Sequence, residues 1–379
     1  MAQITASNDI QILKIRQFLG LNENPDGDTK IKNGEMSVLR NFRVTREKHL
    51  QLRPGTKTLL NLKTAWDTWC AEEGHTAPVE APVFSGAWEG VVDGKQRTLA
   101  AFGGLIFSIN LTTVTAKVVG QCTQDQTSFF GFSNKVYLLN GHEYMSWDGG
   151  AESAFQTVEG YIPTVMNATT PEGGGYLLES VNRLTGKRKV LYSPDGTAKV
   201  FHIPEKTVDE IISVKIGDTA QTYTADLSAR TFTLSTAPVA GTNTLELVYR
   251  SGEGERAQVT GMRFSELYNG QTDSRVFLYG DGTNKTIYSG IDAGTGKPTA
   301  EYFPDLYEAE VGAANTPITG MIRHYARLVV FKQDATYSMS YSTLVTATDT
   351  TTAAFYVTPV NRQFGNKAPG QVDILENNP

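Results

Sequence analysis

The carboxylates best placed to do chemistry are concentrated late in the chain, around glycine-rich turns. A glycosidase needs two carboxyl groups about 5–9 Å apart, one as the acid and one as the nucleophile or base. The candidates are Asp273, Asp281, Asp292, Glu301, Asp305 and Glu308. Most of them lie in turns, where aspartate is favoured because its side chain bonds the nearby backbone. The sequence therefore favours a turn-forming role for these residues over a catalytic pair.

Other catalytic patterns are incomplete. His142-Glu143 has no second histidine four positions later, which a zinc-protease helix requires. The string Gly294-Thr-Gly-Lys-Pro298 lacks the first glycine of a phosphate-binding loop and has proline where a magnesium-binding hydroxyl belongs. We therefore predict no catalytic residue, no metal site and no cofactor, and we expect the protein not to be an enzyme. Surface or packing roles are predicted for the histidines, which are His49, His75, His142, His202 and His324.

Asn22, Asn24 and Asp26, followed by Gly27, resemble the first half of a calcium-binding EF-hand loop. The twelfth position of such a loop is Asn33 here, whereas calcium needs a glutamate that binds with both oxygens. An ordinary Asn/Asp/Gly turn explains the segment better, so no calcium site is predicted.

Composition narrows the class of protein. A chain of 379 residues suits two or three domains, and its 40% hydrophobic content can build a real core. The net charge of −6, with a pI near 5.5, supplies no basic field to hold nucleic acid by counterion release. This argues against tight nucleic-acid binding, but it allows a surface along which DNA slides.

Cysteine usage and hydropathy bear on the cellular setting. Cys70 and Cys122 are too few for a disulfide framework and too far apart for a zinc site, which favours a reduced intracellular setting. The N-terminal residues lack the basic and apolar regions of a signal peptide. No apolar stretch approaches the ~18 residues of a membrane-spanning helix, so no membrane-spanning segment is predicted.

A short pattern occurs four times and decides the fold prediction. A basic residue opens an alternating apolar run, a turn follows, and a second run ends on an aromatic residue. Alternation on both sides of a tight turn predicts a β-hairpin, and recurrence predicts hairpins stacked in an array, because one hairpin cannot bury its own apolar face. The four copies are Arg97–Ser108, Lys135–Met145, Arg275–Ser289 and Arg327–Ser338.

The interval between the second and third copies is much longer than the others. It contains two glycine-rich joints, Pro171–Tyr176 and Ser251–Arg256. Removing the 85 residues 171–255 shortens the interval from 140 to 55 positions, close to the other intervals of 38 and 52 and to the ~40–50 residues typical of blade repeats. The removed segment has several short strand patterns separated by turns, which predicts a small sandwich with helix-like content limited to Glu205–Glu210.

The predicted fold is therefore all-β, a β-propeller-like array of hairpin blades with an inserted small β-sandwich domain. Residues 1–170 form the first part of the propeller, 171–255 the inserted module and 256–379 the second part. Strand patterns at Ser37–Val44 and Leu50–Pro54 predict a first, less regular blade, and Trp66–Val79 predicts a loop or a short surface helix.

Each hairpin opens on a basic residue and closes on an aromatic one. The basic residues could line a lumen or an interface at a repeated radial position, but edge protection by a long charged side chain is the favoured interpretation. The aromatic residues are predicted to be core. The basic set is Arg97, Lys135, Arg275 and Arg327, and the aromatic set is Phe107, Tyr144, Tyr288 and Tyr337.

The order of several short motifs resembles a known family. The motifs are Gly20-Leu-Asn, Asn33-Gly-Glu, Leu52-Arg-Pro-Gly55, Arg275–Gly290, Ala300–Leu306, Pro317–Lys332 and Thr358–Val372. In this order they resemble the tail nozzle, or packaged-DNA stabilisation (head-to-tail), proteins of tailed bacteriophages, over about residues 20–60 and 257–375.

That resemblance implies a structural virion protein. Such proteins form hexameric rings of propeller-like subunits below the portal and adaptor, extend the DNA channel, help to retain and deliver the genome, and hold fibres or tail tips. The expected partners are further copies of the chain, phage adaptor, portal, tail fibre or tail tip proteins, and double-stranded DNA that passes without sequence-specific binding. The expected location is the virion tail, after assembly in the bacterial cytoplasm. Family members would continue beyond the interrupted strand and turn expected from Gly370, so the chain is expected to be truncated at its C-terminus.

Two other functions stay open from the sequence. One is a carbohydrate-binding or carbohydrate-cleaving propeller, such as an adhesin, and the other is an intracellular scaffold that binds peptides. Exposed tryptophans and tyrosines at loop tips would favour carbohydrate, since sugars stack on aromatic faces. The residues that decide this are Trp66, Trp69, Trp88 and Trp147.

Overall fold

A computed structural model describes residues 15–22, 32–268, 274–345 and 351–374. The chain divides into two units, Met1–Leu60 and Asn61–Pro379, and each is described by itself. The calcium-like turn around Asn24 and Asp26 lies outside the described residues, as does Asp273.

The first unit contains two small ladders. Strand β1 (Gly20–Leu21) pairs in parallel with β2 (Glu35–Met36), and β3 (Phe42–Val44) pairs antiparallel with β4 (Leu50–Leu52). The amide of Asn22 donates to Glu35 Oε2 at 2.7 Å, which ties the chain after β1 to β2. The predicted strand at Ser37–Val44 is shorter than expected, because only its last three residues pair.

The second unit begins with helix α1 (Leu62–Cys70), which starts before the segment Trp66–Val79 expected to be a loop or short helix and covers only its first five residues. Two four-stranded antiparallel meanders follow, each with its strands in chain order. Meander I consists of β5 (Phe84–Val92), β6 (Lys95–Phe102), β7 (Leu105–Asn110) and β8 (Thr115–Gln121). Meander II consists of β9 (Ser128–Phe132), β10 (Lys135–Leu139), β11 (Tyr144–Trp147) and β12 (Gln156–Thr157).

A pair of facing sheets follows meander II. A six-stranded sheet in the order β14-β13-β15-β21-β17-β18 and a three-stranded sheet in the order β16-β20-β19 share a core of Tyr192, Phe201 and Phe232. The strands are β13 (Thr164–Thr169), β14 (Tyr176–Leu177), β15 (Lys187–Tyr192), β16 (Val200–His202), β17 (Glu210–Ile216), β18 (Thr219–Ala220), β19 (Tyr223–Asp226), β20 (Thr231–Leu234) and β21 (Leu245–Arg250).

Two details of this region differ from expectation. Strand β13 belongs to the six-stranded sheet, so that sheet begins before residue 171. The helix predicted at Glu205–Glu210 is wrong, because Val208 is buried in the core between the two sheets and Glu210 already begins β17.

Two more four-stranded meanders complete the second unit, after helix α2 (Arg256–Thr260). Meander III consists of β22 (Phe264–Tyr268), β23 (Arg275–Tyr279), β24 (Lys285–Tyr288) and β27 (Glu308–Glu310), with a short β25 (Ile291–Asp292) and β26 (Lys297–Pro298) hairpin in its last connection. Meander IV consists of β28 (Ile318–His324), β29 (Arg327–Lys332), β30 (Thr336–Val345) and β31 (Thr351–Asn361).

The four predicted hairpins are confirmed. Each forms the two central strands of one meander, namely β6–β7, β10–β11, β23–β24 and β29–β30. The all-β class is also confirmed, and the described residues form many small sheets of which none is closed. The strand predicted after Gly370 is wrong. The Gly370 amide donates to Thr319 O at 2.8 Å, and the residues from 371 to 374 form no strand.

Successive meanders pack face to face. We call the face that a meander turns toward the next one its forward face, and the opposite face its rear face. One apolar cluster joins meanders I and II, a second joins II and III, and a third joins III and IV. Helix α1 packs on the rear face of meander I, where Trp66 is buried against Leu105 and Phe107. No helix among the described residues is long and apolar enough to cross a membrane.

Candidate functional site

The first strands of the four meanders lie against one another in sequence. Strand β5 contacts β9, β9 contacts β22, and β22 contacts β28. Each is also the edge strand of its own sheet, so its outer edge pairs with no strand of that sheet. The four sheets therefore converge on their first strands, and we call this the inner side of the array.

Small residues let the first strands approach closely. A Cβ on Gly90 or Gly131 would meet the indole of Trp88, which lies across both. The Ser85 carbonyl accepts from the Thr127 amide at 2.9 Å, and the Ser128 hydroxyl donates to Arg263 O at 2.5 Å. Hydrogen bonds from backbone and hydroxyl groups, rather than a shared β-ladder, thus join neighbouring meanders on the inner side.

A carboxylate on the inner side is partly desolvated. Glu266 on β22 accepts from the Arg323 amide of β28 at 3.1 Å. Burial raises the pKa of Glu266 above the ordinary glutamate value, while the Arg323 amide and guanidinium act in the opposite direction. Glu266 is a contact between meanders III and IV and has no second carboxylate beside it in the described structure.

The basic residues that open the hairpins have an inter-sheet role in the first two meanders. Arg97 Nη2 donates to Gly149 O at 2.5 Å and its guanidinium lies 5.6 Å from the Trp147 ring centre, so it joins meander I to meander II. Lys135 Nζ lies 2.7 Å from Glu301 Oε1. Glu301 lies in the connection between β26 and β27 of meander III. The favoured interpretation, edge protection, is therefore wrong for both residues, because each side chain turns toward the next sheet.

The other two basic residues behave differently. Arg275 is buried, donates to Ser289 O at 2.9 Å and lies over the Tyr307 ring. Arg327 occupies the same position in meander IV and is exposed. The core interpretation of the aromatic set is confirmed for Phe107, Tyr144 and Tyr288, which are buried, and Tyr337 packs against the core between meanders III and IV.

A polar network holds the loops at one end of the array. Both terminal nitrogens of Arg263 approach the Asp125 carboxylate, at 3.1 and 3.3 Å, and His142 Nε2 lies 3.3 Å from it. The Gln126 amide is the largest cause that lowers the pKa of Asp125, followed by Arg263 and His142. This network joins the loop between meanders I and II to the start of meander III. No local pattern in the sequence indicates this network, because its members are distant in the chain.

The chain segment just before β15 of the facing sheets is hydrogen-bonded to meander III. Arg183, whose side chain is 2% exposed, donates through Nη1 to Pro304 O at 2.5 Å and through Nη2 to Glu308 Oε2 at 2.9 Å. Asn182 donates to the carbonyls of Tyr161 and Glu301, both at 2.8 Å. These two residues were missed at the sequence level, because no local spacing marks an arginine that binds backbone carbonyls more than a hundred positions away.

Four of the carboxylates considered for glycoside cleavage have other partners, whereas Asp305 Oδ1 is buried without a hydrogen-bond partner among the described residues. Asp281 and Asp292 accept from turn amides two residues on, at 2.9 and 2.7 Å. Glu301 pairs with Lys135, and Glu308 pairs with both Arg183 and Lys285. Each contact stabilises a turn or a junction, and none of these distances describes an acid facing a nucleophile. Within the described ranges, no group of three or more His, Cys, Asp or Glu residues is arranged to hold a metal ion.

The tryptophans and cysteines are also placed structurally. All four tryptophans fall within the described residues and none is exposed, and the Trp69 ring stacks on His75 with centres 4.1 Å apart. Both cysteines are free thiols, and burial raises the pKa of Cys122 to about 12, with a smaller effect from Glu143. Cys122 is therefore a weak nucleophile at neutral pH.

Two open grooves lie on the array. One of about 630 Å³ lies between meanders I and II and is lined by Arg97, Lys117, Glu89 and Glu152 among others. The other, of about 540 Å³, lies where turns of meanders II, III and IV meet, beside Gly141, Arg263, Asp281 and Gln333. Both have mixed charge and wide mouths, without the converging pair of reactive groups that an active site needs.

Comparisons with known proteins add little. No family model matches the chain, and no curated protein matches it. Among solved structures, it is similar to the extracellular domain of a proposed one component system from B. thetaiotaomicron, with 9% identity and a TM-score of 0.25. That match covers 78% of this chain and 36% of the other, so the chain spans about a third of that structure's length. A TM-score this low carries no argument about fold or function.

Proposed function

We propose that the chain is a structural virion protein of a tailed bacteriophage, a ring-forming component of the head-to-tail or tail nozzle region. In this proposal the four meanders are blades of a propeller-like array, and the two facing sheets between meanders II and III are the inserted sandwich. The observation that supports it most is the successive contact of β5, β9, β22 and β28. Blades of a propeller pack in this way, with their first strands innermost.

The inner side of the array suits a wall along which DNA moves. The charged residues on its four strands are Glu89, Glu266 and Arg323, apart from His324. A surface that holds duplex DNA needs many lysines and arginines to displace counterions from phosphates. An array with one arginine and two carboxylates there would guide DNA without gripping it, which fits genome retention by a ring and rapid delivery through it.

The core also suits a permanent scaffold. Aromatic residues fill all three junctions between meanders, and charged contacts such as Lys135–Glu301 lock their order. The engaged carboxylates support a role other than catalysis. The expected partners are further copies of the chain, the portal and adaptor, and the tail fibre or tip proteins.

Carbohydrate binding is the alternative function. Tyr325, in the turn between β28 and β29, is 71% exposed and offers an accessible aromatic face, but none of the four tryptophans is exposed. Sugar recognition by stacking needs an accessible aromatic face, whereas Trp66 and Trp147 are buried and Trp69 is stacked on His75.

Electron microscopy of the purified chain, alone and mixed with portal–adaptor complexes, tests the proposal. We expect six-fold rings around a channel and no retention of short duplex DNA at physiological salt. A monodisperse monomer that ignores portal–adaptor complexes and binds glycans would contradict the proposal.

A further inference from the structure

The three junctions inside the array repeat one arrangement. In each, the forward face of one meander is covered by the rear face of the next. Residues two apart on the second strand of each meander supply the forward face, as Tyr137 and Leu139 do for meander II and Phe277 and Tyr279 for meander III. A forward face of this kind is therefore built to receive another sheet.

Meander IV has such a face without a following sheet in the described structure. The register places Ile322 beside Val329, and Ser340 beside Tyr356, on the side away from meander III. Tyr356 is 47% exposed, and Arg327, the equivalent of Arg97 and Lys135, is exposed. Among the described residues, Val372 packs over Gly320 at one corner of this face, and Ser338 beside Val329 is buried.

The rear end of the array is open in a complementary way. Helix α1 contacts β6 and β8 of meander I, but it leaves the rear face of β5 uncovered. Phe84 is 59% exposed and Val91 is 63% exposed, with Ala87 exposed between them. In the other three meanders the rear face of the first strand is covered by the meander before it.

The two ends also carry opposite charge. Between Asn61 and Val92, at the rear end, five carboxylates face solvent beside a single lysine, Lys63. These carboxylates are Asp67, Glu72, Glu73, Glu80 and Glu89. Arg323 lies on the side of meander III, near Glu266, and is not counted. Among the other described residues from Ile318 onward, three exposed basic side chains outnumber two carboxylates. The basic residues are Arg327, Arg362 and Lys367, and the carboxylates are Asp334 and Asp373.

We propose that the forward face of meander IV binds the rear face of meander I in a second copy of this chain. The apolar residues on the two faces would form a fourth junction of the kind already present three times, and the opposite charges would select the head-to-tail pairing over pairing of like ends. Such a contact uses two different surfaces of one chain, so it generates rings where the rotation closes and filaments where it does not. Ring closure rests on the proposed function, whereas the interface does not.

Two single variants test the interface because each blocks one end. Tyr356→Glu places a carboxylate on the forward face, and Val91→Glu places one on the rear face. Both sites are exposed, so we expect folded monomers with wild-type thermal unfolding. Val239→Glu, at an 87% exposed site between β20 and β21, is the matched control and should assemble as wild type does. Arg327→Glu and Ala87→Arg form a second pair of variants in case either glutamate perturbs folding.

Mixing the two blocked variants gives the decisive result. Each retains one intact end, so an equimolar mixture should form a discrete dimer by sedimentation velocity or mass photometry and nothing larger. Assemblies that persist in either variant alone, or a mixture that stays monomeric, would overturn the interface. If both variants form the same six-fold rings as the wild type, the interface is wrong and the proposed function stands. Head-to-tail filaments that never close would instead support the interface and contradict the ring.

Discussion

Lys135 Nζ lies 2.7 Å from Glu301 Oε1, although the two are 166 positions apart and the two facing sheets lie between them in the chain. The pair fixes meander II against the last connection of meander III, beside the Tyr144 hydroxyl, which donates to Ala300 O at 2.8 Å. Together these contacts join meanders II and III across the two facing sheets that lie between them in the chain.

We expect the Lys135–Glu301 pair to contribute modestly to stability. The two side chains are 41% and 30% exposed, so solvent screens their attraction and a coupling of about 0.5–1 kcal/mol is expected. A double-mutant cycle with Lys135→Met and Glu301→Gln, followed by urea denaturation, measures it. The pair Lys117–Glu152, at 3.9 Å and 62% and 94% exposed, is the control and should show no measurable coupling. Equal coupling in the two pairs would show that the geometry at Glu301 is unimportant.

Two glycine-to-alanine changes in meander I separate backbone strain from crowding. Gly94 and Gly103 both lie in β-turns at nearly the same φ, +65° and +61°, but a Cβ on Gly94 meets nothing within 4 Å. A Cβ on Gly103 would overlap the Trp66 indole, whose Nε1 donates to Gly103 O at 2.9 Å. We expect Gly94→Ala to cost about 1 kcal/mol and Gly103→Ala a further ~1–3 kcal/mol.

Thermal unfolding and tryptophan fluorescence check this difference. Gly103→Ala should also shift Trp66 emission toward that of a hydrated indole, since helix α1 has to move away from meander I. Equal loss of stability in the two variants, without a change in emission, would mean that α1 does not depend on this contact.

Arg183 is expected to be the costliest single side chain to remove at the junction of the sandwich and meander III. Arg183→Met leaves the carbonyls of Pro304 and Asp305 without their donor and Glu308 without a buried partner, a loss of about 3–5 kcal/mol. Arg230→Met is the control, because the exposed Arg230 side chain donates to a single backbone carbonyl among the described residues, Glu205 O, and the change should alter stability by less than about 0.5 kcal/mol. Calorimetry should resolve a separate unfolding transition of the two facing sheets only in the Arg183 variant. A single unchanged transition in both variants would contradict the role of Arg183 in joining these sheets to meander III.

The sequence predicts the centre of each sheet far better than its margins. The hairpins at Arg97–Ser108 and Arg275–Ser289 are buried on both faces, so their apolar runs are long and regular. Edge strands such as β12 (Gln156–Thr157) have two exposed polar residues and no pattern to detect. Strand β13 precedes the boundary predicted at 171, although its neighbour in the sheet, β15, follows that boundary. The sequence shows no sign of this pairing, because the glycine-rich joint separates the two strands in the chain.

The contacts between sheets could not be predicted at all. A basic residue at the start of a hairpin looks the same whether it protects an edge or reaches Gly149 in the next meander, as Arg97 does. The difference depends on which sheet follows in space. Pairs such as Asp125 and Arg263 are set by tertiary packing over more than a hundred residues, and a single sequence carries no period that links them.

Glu266 is predicted to lower stability at neutral pH. Burial raises its folded-state pKa, so the folded chain binds this proton more tightly than the unfolded chain does. Stability from this group is therefore full below the unfolded pKa of about 4.3 and is lost as pH rises through the raised folded pKa.

Glu266→Gln keeps an acceptor for the Arg323 amide and removes the charge, so it should stabilise the protein by up to about 1 kcal/mol at pH 7. Urea denaturation at a series of pH values checks this. The difference in free energy of unfolding between Glu266→Gln and the wild type should shrink toward zero as the pH falls to 4. Glu266→Ala, which leaves that amide unpaired, should destabilise the fold at every pH. A glutamine advantage that grows with acidity would reverse the sign and refute the desolvation argument.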